Sequence, residues 1–233
     1  MPGLFVTGTD TGIGKTLVSA GLMVALQRQG VEVMAMKPVA AGCHYVAGQL
    51  RNEDAEQFHS LLNCQTDYST INPCALEAAA APHIVAAEQG QRIDVDGLAA
   101  AIRVQSEQRF TLVEGAGGWR VPLAGHEDVG TLALRSNLPV LLVVGIRLGC
   151  INHALLSAEA ILNDGANLTG WVASDLEPED TRLDAQVAAL DERMPAPRLG
   201  RLPALAQPSP SLAAEYLDIS SLMELIEALK NPI

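Results

Sequence analysis

The stretch Gly8-Thr9-Asp10-Thr11-Gly12-Ile13-Gly14-Lys15-Thr16 constrains this chain more than any other. An apolar run, Leu4-Phe5-Val6, precedes it and reads as a short buried strand. Leu17, Val18, Leu22, Ala25 and Leu26 follow at helical spacing. Strand, glycine-rich loop, Lys-Thr and helix in that order is the context of a phosphate-binding loop. Glycines let several backbone N–H groups converge on one concavity, and a helix N-terminus adds partial positive charge. Lys15 supplies a full charge for the β and γ phosphates, and the Thr16 hydroxyl is a ligand for Mg²⁺. The usual pattern sets four residues between its glycines. Here five separate Gly8 from Gly14, and Thr9 stands where the first glycine belongs. A glycine-rich turn that binds nothing would share the composition, but Gly-Lys-Thr opening an amphipathic helix decides for a nucleotide site.

A loop of this kind needs a large sheet to hold it. The 233 residues, 48% hydrophobic and 18% charged, suffice for one α/β domain with a well-buried core. Aromatic residues are only 3%, so Ala, Val, Leu and Ile must build that core. The net charge of −12 argues against nucleic acid or an anionic membrane as the main partner. It also repels ATP, so each lysine near the loop gains weight. The four cysteines, Cys43, Cys64, Cys74 and Cys150, show no C-x-x-C spacing and read as reduced thiols without zinc. No basic segment precedes an apolar one at the N-terminus, and the run Leu138 to Ile146 is too short to span a membrane. The expectation is a soluble, cytoplasmic protein.

Gly30 stops the first helix, and Val31 to Met36 reads as a strand closed by Lys37-Pro38. Ala41 to Arg51 reads as loop, and Asn52-Glu53-Asp54 as the acidic start of a helix reaching about Leu62. Asn72-Pro73 and Ala81-Pro82 punctuate an alanine-rich middle, with a further helix over Asp94 to Gln108. Phe110 to Val113 is a buried strand delivering Glu114, with Gly115-Ala116-Gly117-Gly118 as a loop behind it. Leu138 to Val144, Leu168 to Ala173 and Arg198 to Leu202 read as strands. Cys150 to Leu162, Asp180 to Asp191 and Ser220 to Lys230 read as helices. Alternating strands and helices imply a mostly parallel sheet covered on both faces. Ligands bind such sheets at the carboxyl ends of the strands. The loop, Lys37, Glu114 and Ser174-Asp175 should therefore share one rim.

Phosphoryl transfer needs charge neutralised around phosphorus, and Mg²⁺ needs oxygen ligands. Thr16, Asp54 and Glu114 are the donors this topology can bring together. Glu114, directly after a buried strand, resembles a Walker-B carboxylate; an acid in a first helical turn such as Asp54 is as often a dipole partner. Lys37 ends a strand before a proline, where a side chain is well aimed, although strand-end lysines are commonly just solvated. No Ser-His-Asp signature supports a side-chain nucleophile.

Over essentially its full length the sequence resembles the dethiobiotin synthetases. The resemblance rests on Gly8 to Thr16 with that family's five-residue spacing, Lys37-Pro38-Val39-Ala40, Arg51-Asn52-Glu53-Asp54, Asn72-Pro73 and Pro82-His83-Ile84. It continues through Val113 to Trp119, Leu148 to Ala154 and Gly170-Trp171-Val172-Ala173. It implies a single P-loop NTPase-type α/β domain over residues 1–233, and a homodimeric ligase taking 7,8-diaminopelargonate, CO₂ and Mg·ATP. In the implied scheme a substrate amine is carbamated, the γ-phosphate activates the carbamate as a mixed anhydride, and the second amine closes the ureido ring. Lys15 and Lys37 would stabilise the carbamate and the transferring phosphoryl group, with Thr11 beside the carbamate. Thr16, Asp54 and Glu114 match the family's metal positions. Gly12, Ile13, Gly14, Leu17, Gly115, Ala116, Gly117, Ser174, Asp175, Pro203, Ala204 and Leu205 match its nucleotide site. Ala41 matches a substrate position, and Gly149, Cys150 and Asn152 a dimer-interface loop that holds the neighbouring subunit's substrate.

Three positions depart from the family pattern. Ala41 replaces a serine that touches substrate, Ser174 an asparagine that reads adenine, and Pro210 a glutamate near the nucleotide loop. The last two leave base choice open, because a hydroxyl has less donor–acceptor reach than an amide. A partition-type ATPase would carry a second lysine early in the loop, where this chain has Thr9-Asp10-Thr11. A cobyrinate-type synthase would need a glutaminase domain for which there is no room. A nucleotide-binding switch, by contrast, would not need Lys37 for chemistry.

Overall fold

The structure is a computed structural model and describes residues 3–62 and 66–230. Cys64, expected to be a reduced thiol, lies outside the described residues. Six strands form the central sheet: β1 (Gly3–Gly8), β2 (Val33–Met36), β3 (Phe110–Gly118), β4 (Val140–Ile146), β5 (Leu168–Asp175) and β6 (Arg198–Leu202). Their order is β6-β5-β4-β1-β3-β2, and every neighbouring pair is parallel. Every residue of β1 and β4 is buried, as central parallel strands covered on both faces require. The chain winds from β1 outward to β2 and β3, then crosses to β4 on the other side. The loop after β1 thus opens at the point where the winding reverses, which is where ligands lodge in such sheets.

Local chemistry explains the elements that aim side chains into this crevice. The helix Lys15–Arg28 begins directly after Gly14, and the helix Glu53–Leu61 is capped by Asn52, whose Oδ1 accepts from the amides of Asp54 (3.1 Å) and Ala55 (3.4 Å). The helix Val95–Gln108 is capped by Asp94, and Val129–Ser136 by a reciprocal pair between Asp128 and Thr131. Cys150–Asn163 and Leu183–Asp191 connect β4, β5 and β6, and Ile219–Lys230 ends the chain.

Several expectations are corrected. Ala41 to Arg51 is no plain loop: His44–Val46 and Gln49–Arg51 pair as an antiparallel hairpin. Gly115–Gly118 is the continuation of β3 rather than a loop, reaching the phosphate loop where Gly118 pairs with Gly8. A Cβ on Gly118 would lie 3.2 Å from the Gly8 carbonyl oxygen, so a side chain there would crowd the loop. Ala81-Pro82 marks the start of a helix, Pro82–Glu88, and the helix Val129–Ser136 was not anticipated. Strand β2 starts at Val33 rather than Val31, and the helix expected from Asp180 starts at Leu183. Pro210 opens a short helix, Pro210–Ala213, capped by Ser209, in a first-turn position where proline's missing N–H is harmless. No described helix is long and apolar enough to cross a membrane.

Candidate active site

Gly12 and Gly14 have φ of 73° and 88°, a backbone turn that an L side chain resists and that aims successive amides to one side. Ile13 is buried between them while Thr11 and Gly12 are exposed. Lys15 folds back so that Nζ donates to the Asp10 carbonyl at 2.6 Å. Asp10 is in turn held by Arg147, at the end of β4, through a 2.6 Å ion pair. Burial lowers the Lys15 pKa to about 8, against the pull of Glu114.

Three charged groups meet at the floor of the crevice. Lys37 Nζ pairs with Glu114 Oε1, and with Asp54 Oδ2 at 2.9 Å. The Thr16 hydroxyl donates to the same Glu114 oxygen at 3.1 Å. Glu114 is 1% exposed and Lys37 6%. Burial alone would lower the Lys37 pKa, but the Glu114 and Asp54 carboxylates outweigh it and leave it raised. For Asp54 burial pushes upward, and Lys37 overcomes it and leaves the carboxyl below its usual range. The rim expected from topology is therefore real, and Asp54 belongs to it.

The other positions expected to face a nucleotide lie on or near this rim. Leu17 is half-buried one residue beyond Thr16, and Gly115 is buried while Ala116 and Gly117 are half-buried. A Cβ on Gly117 would stand 3.2 Å from Thr11 Oγ1, so the end of β3 flanks the loop. A Cβ on Gly14 would stand 2.8 Å from Ser174 Oγ, so Ser174 sits directly against the loop from β5. Asp175 is turned elsewhere: both its oxygens accept from Arg201 Nε at 3.2 and 3.0 Å, and Arg201 also pairs with Asp184 at 2.6 Å. Pro203, Ala204 and Leu205 follow the end of β6 on the same rim.

The positions expected to face a substrate lie in two separate openings. A cavity of about 520 Å³ is lined by Lys37, Ala41, Asp54, Thr11, Ala116 and Pro82, among others. Gly149 and Asn152 line a different groove, of about 820 Å³, with Leu148, Ile151 and Leu155. Cys150 is buried there, its thiol donating to Gln186 Oε1 at 3.1 Å. Within one copy the two groups of residues do not share a pocket.

The donors at the floor are oxygens: two carboxylates and a hydroxyl. Glu114 Oε2 is buried with no hydrogen-bond partner among the described residues, an orphan acceptor beside Thr16 and Lys37. A hard cation that completes its shell with water and phosphate oxygens suits that set. Among the described residues no three His, Cys, Asp or Glu side chains converge as a protein-only metal cage. Sequence reasoning missed Asn72 and Tyr68, which hold this floor from behind. Asn72-Pro73 was visible as a punctuation mark, and nothing in it disclosed what Asn72 binds.

Comparison with known proteins agrees with the geometry. Residues 2–211 match the family model described as AAA domain. The chain is 52% identical over 224 residues to a protein of Pseudomonas paraeruginosa named ATP-dependent dethiobiotin synthetase BioD, covering 95% of this chain and 98% of the relative. A protein of the same name from Cellvibrio japonicus is 48% identical over 94% of this chain and 97% of its own. Among solved structures, a ParA family ATPase from Chlorobium tepidum is similar with a TM-score of 0.58 at 14% identity, covering 95% of this chain and 98% of that one. The MinD cell division protein of Aquifex aeolicus follows with 0.57 at 15%, covering 100% and 98%. These two share the fold, and the near-full-length identity to the ligases does more: the chain belongs to the ATP-dependent dethiobiotin synthetase family.

Proposed function

We propose that this protein carboxylates 7,8-diaminopelargonate with CO₂ and closes the ureido ring at the expense of ATP, giving dethiobiotin, ADP and phosphate. The observation that carries the reading is Lys37, held by Glu114 and Asp54 where the phosphate loop meets the 520 Å³ cavity. A carbamated amine in that cavity presents an anionic oxygen to the γ-phosphorus. Oxygen and phosphorus both carry negative charge, so their approach needs cations on both sides. Lys37 supplies one from the cavity side and Lys15 one from the loop side, with the Thr11 hydroxyl beside them. The new O–P bond forms as ADP leaves. The second amine then attacks the carbamoyl carbon, loses its proton, and expels phosphate. No protein nucleophile is required; positioning and charge neutralisation carry the rate.

Thr16, Asp54 and Glu114 would hold Mg²⁺, which when bound neutralises β- and γ-phosphate oxygens. Gly12, Ile13, Gly14, Lys15, Thr16 and Leu17 would bind the triphosphate. Ser174, Pro203, Ala204 and Leu205 would face the base, with Asp175 turned away to Arg201. The reaction would be carried by one domain over residues 1–233, in the cytoplasm. Incubation with diaminopelargonate, bicarbonate, Mg²⁺ and ATP, CTP or GTP tests the reading by the mass of the product. Dethiobiotin is expected with ATP, and product from CTP or GTP as well would assign relaxed base choice to Ser174. No dethiobiotin with any nucleotide, from protein that still binds ATP, would overturn the ligase in favour of a switch.

The second opening supports a homodimer in which Gly149 and Asn152 reach the neighbour's substrate, with Cys150 buried behind them. Leu148 is 91% exposed and lines this opening with Ile151 and Leu155, an apolar surface at the start of the helix Cys150–Asn163. Burying each side chain is worth about 1.5–3 kcal/mol. The substitution Leu148→Arg should convert a dimer to a monomer by light scattering and depress ligation. ATP binding should survive, since the phosphate loop is elsewhere. A variant that remains dimeric would place the interface on another face.

A further inference from the structure

The floor of the site depends on one short turn that touches neither cavity nor loop. Strand β2 is an edge strand and its ladder ends at Met36, so the backbone of Lys37 finds no partner in the sheet. Residues 71 and 72 supply both partners. The Lys37 amide donates to the Ile71 carbonyl at 2.8 Å, and Asn72 Nδ2 donates to the Lys37 carbonyl at 2.6 Å. Pro38 follows, with no amide to offer, and its own carbonyl accepts from the Cys74 amide at 3.1 Å.

The other end of the same turn reaches Asp54. The helix Tyr68–Ile71 begins with Tyr68, whose hydroxyl oxygen accepts from the Asn52 amide at 2.8 Å. The Arg51 guanidinium lies 3.9 Å above the Tyr68 ring. Asn52 then caps the helix that carries Asp54. The Asn72 amide closes the turn on the Tyr68 carbonyl at 2.8 Å. One turn of chain thus fixes the backbone of Lys37 and the helix start of Asp54, and their 2.9 Å ion pair completes the ring.

Stability is a poor explanation for Asn72. It is 4% exposed, and its Oδ1 is buried with no hydrogen-bond partner among the described residues. A side chain chosen for stability at a buried position would not carry an orphan acceptor. What the amide provides that an apolar residue could not is a donor to the Lys37 carbonyl. We infer that Asn72 and Tyr68 are positioning residues of the ligation: they set Lys37 against Asp54, and so against the transferring phosphoryl group, without touching either substrate. The inference rests on the ligase reading above.

Steady-state kinetics with diaminopelargonate, bicarbonate and Mg·ATP test it in Asn72→Ala, Asn72→Asp and Tyr68→Phe. Displacing a reacting group by about 1 Å costs up to roughly 100-fold, so kcat should fall roughly 10- to 100-fold in the Asn72 variants. Asn72→Asp keeps the shape and replaces the donor by an acceptor facing a carbonyl, so it should fall at least as far as Asn72→Ala. Tyr68→Phe removes one oxygen from a half-buried ring and should lower kcat in a folded protein. In all three the affinity for ATP, measured by direct binding, should stay within about twofold, because the lost interaction acts in the transition state. An unchanged kcat would overturn the inference. So would kcat and ATP affinity that fall together with the folded fraction, the mark of a structural role. Product from the wild type in the same assay stands for the ligase reading, which separates its failure from that of the positioning role.

Discussion

Replacing Lys37 with alanine should reduce dethiobiotin formation by at least roughly a thousandfold while ATP still binds. A cation contacting a transferring phosphoryl group is worth about 10³–10⁵ in rate, and Lys37 is the cation on the cavity side. Binding should persist because the phosphate loop, Lys15 and Thr16 are untouched. The substitution also strips Glu114, 1% exposed, of the ammonium beside it. Breaking a buried pair by removing one partner costs about 3–5 kcal/mol, so thermal unfolding should move down, and the loss of rate must be measured on folded protein. Lys37→Arg separates the two effects. It keeps the charge between Glu114 and Asp54 and should keep the fold, yet its planar fork does not reproduce a point charge at Nζ. Ligation should remain low in that variant too. Full turnover in folded Lys37→Ala would remove this residue from the chemistry and leave charge neutralisation on the cavity side to another group.

The parts of this site that follow from local rules were visible in the sequence. Glu114 stood out as an acid behind a buried apolar run, although it lies inside β3 rather than at its end, and the loop stood out because glycines before Lys-Thr leave few alternatives. Long-range partnerships were not visible. Asp54 looked as much like a dipole partner as a site residue, since only its pairing with Lys37 distinguishes the two. Gly115 to Gly118 looked like a turn because glycine is rare inside strands. The absence of a side chain at Gly117 and Gly118 is what lets β3 approach the phosphate loop. The hairpin His44–Arg51 escaped notice because His44, Tyr45 and Val46 are all exposed, so no alternation marks them as strand. Asn72 showed only within the motif Asn72-Pro73, which says nothing of its contact, because its partner lies 35 positions away in the chain. The fold came from periodicity, and the errors concentrate where one segment is explained by another that is distant in sequence.

Lys15→Ala should have the opposite profile from Lys37→Ala, losing the nucleotide first. Lys15 is 6% exposed and its ammonium donates to the Asp10 carbonyl, a bond within its own loop. Phosphate oxygens entering the loop offer it a stronger, charge-assisted partner, so the loop exchanges an internal contact for one with the ligand. Each charged hydrogen bond is worth about 1.5–3 kcal/mol, which is roughly 10- to 100-fold in affinity. Mg·ATP should therefore bind roughly 10- to 100-fold more weakly by calorimetry, and kcat/KM should fall further because the same charge meets the transferring phosphoryl group. Stability should change little, since Lys15 makes no ion pair whose partner would be left buried. Asp10 keeps Arg147 at 2.6 Å, so the loop retains its tie to β4 without the lysine. Unaltered ATP affinity in Lys15→Ala would mean that the backbone amides around Gly12 and Gly14 hold the phosphates alone, and would confine Lys15 to the chemical step.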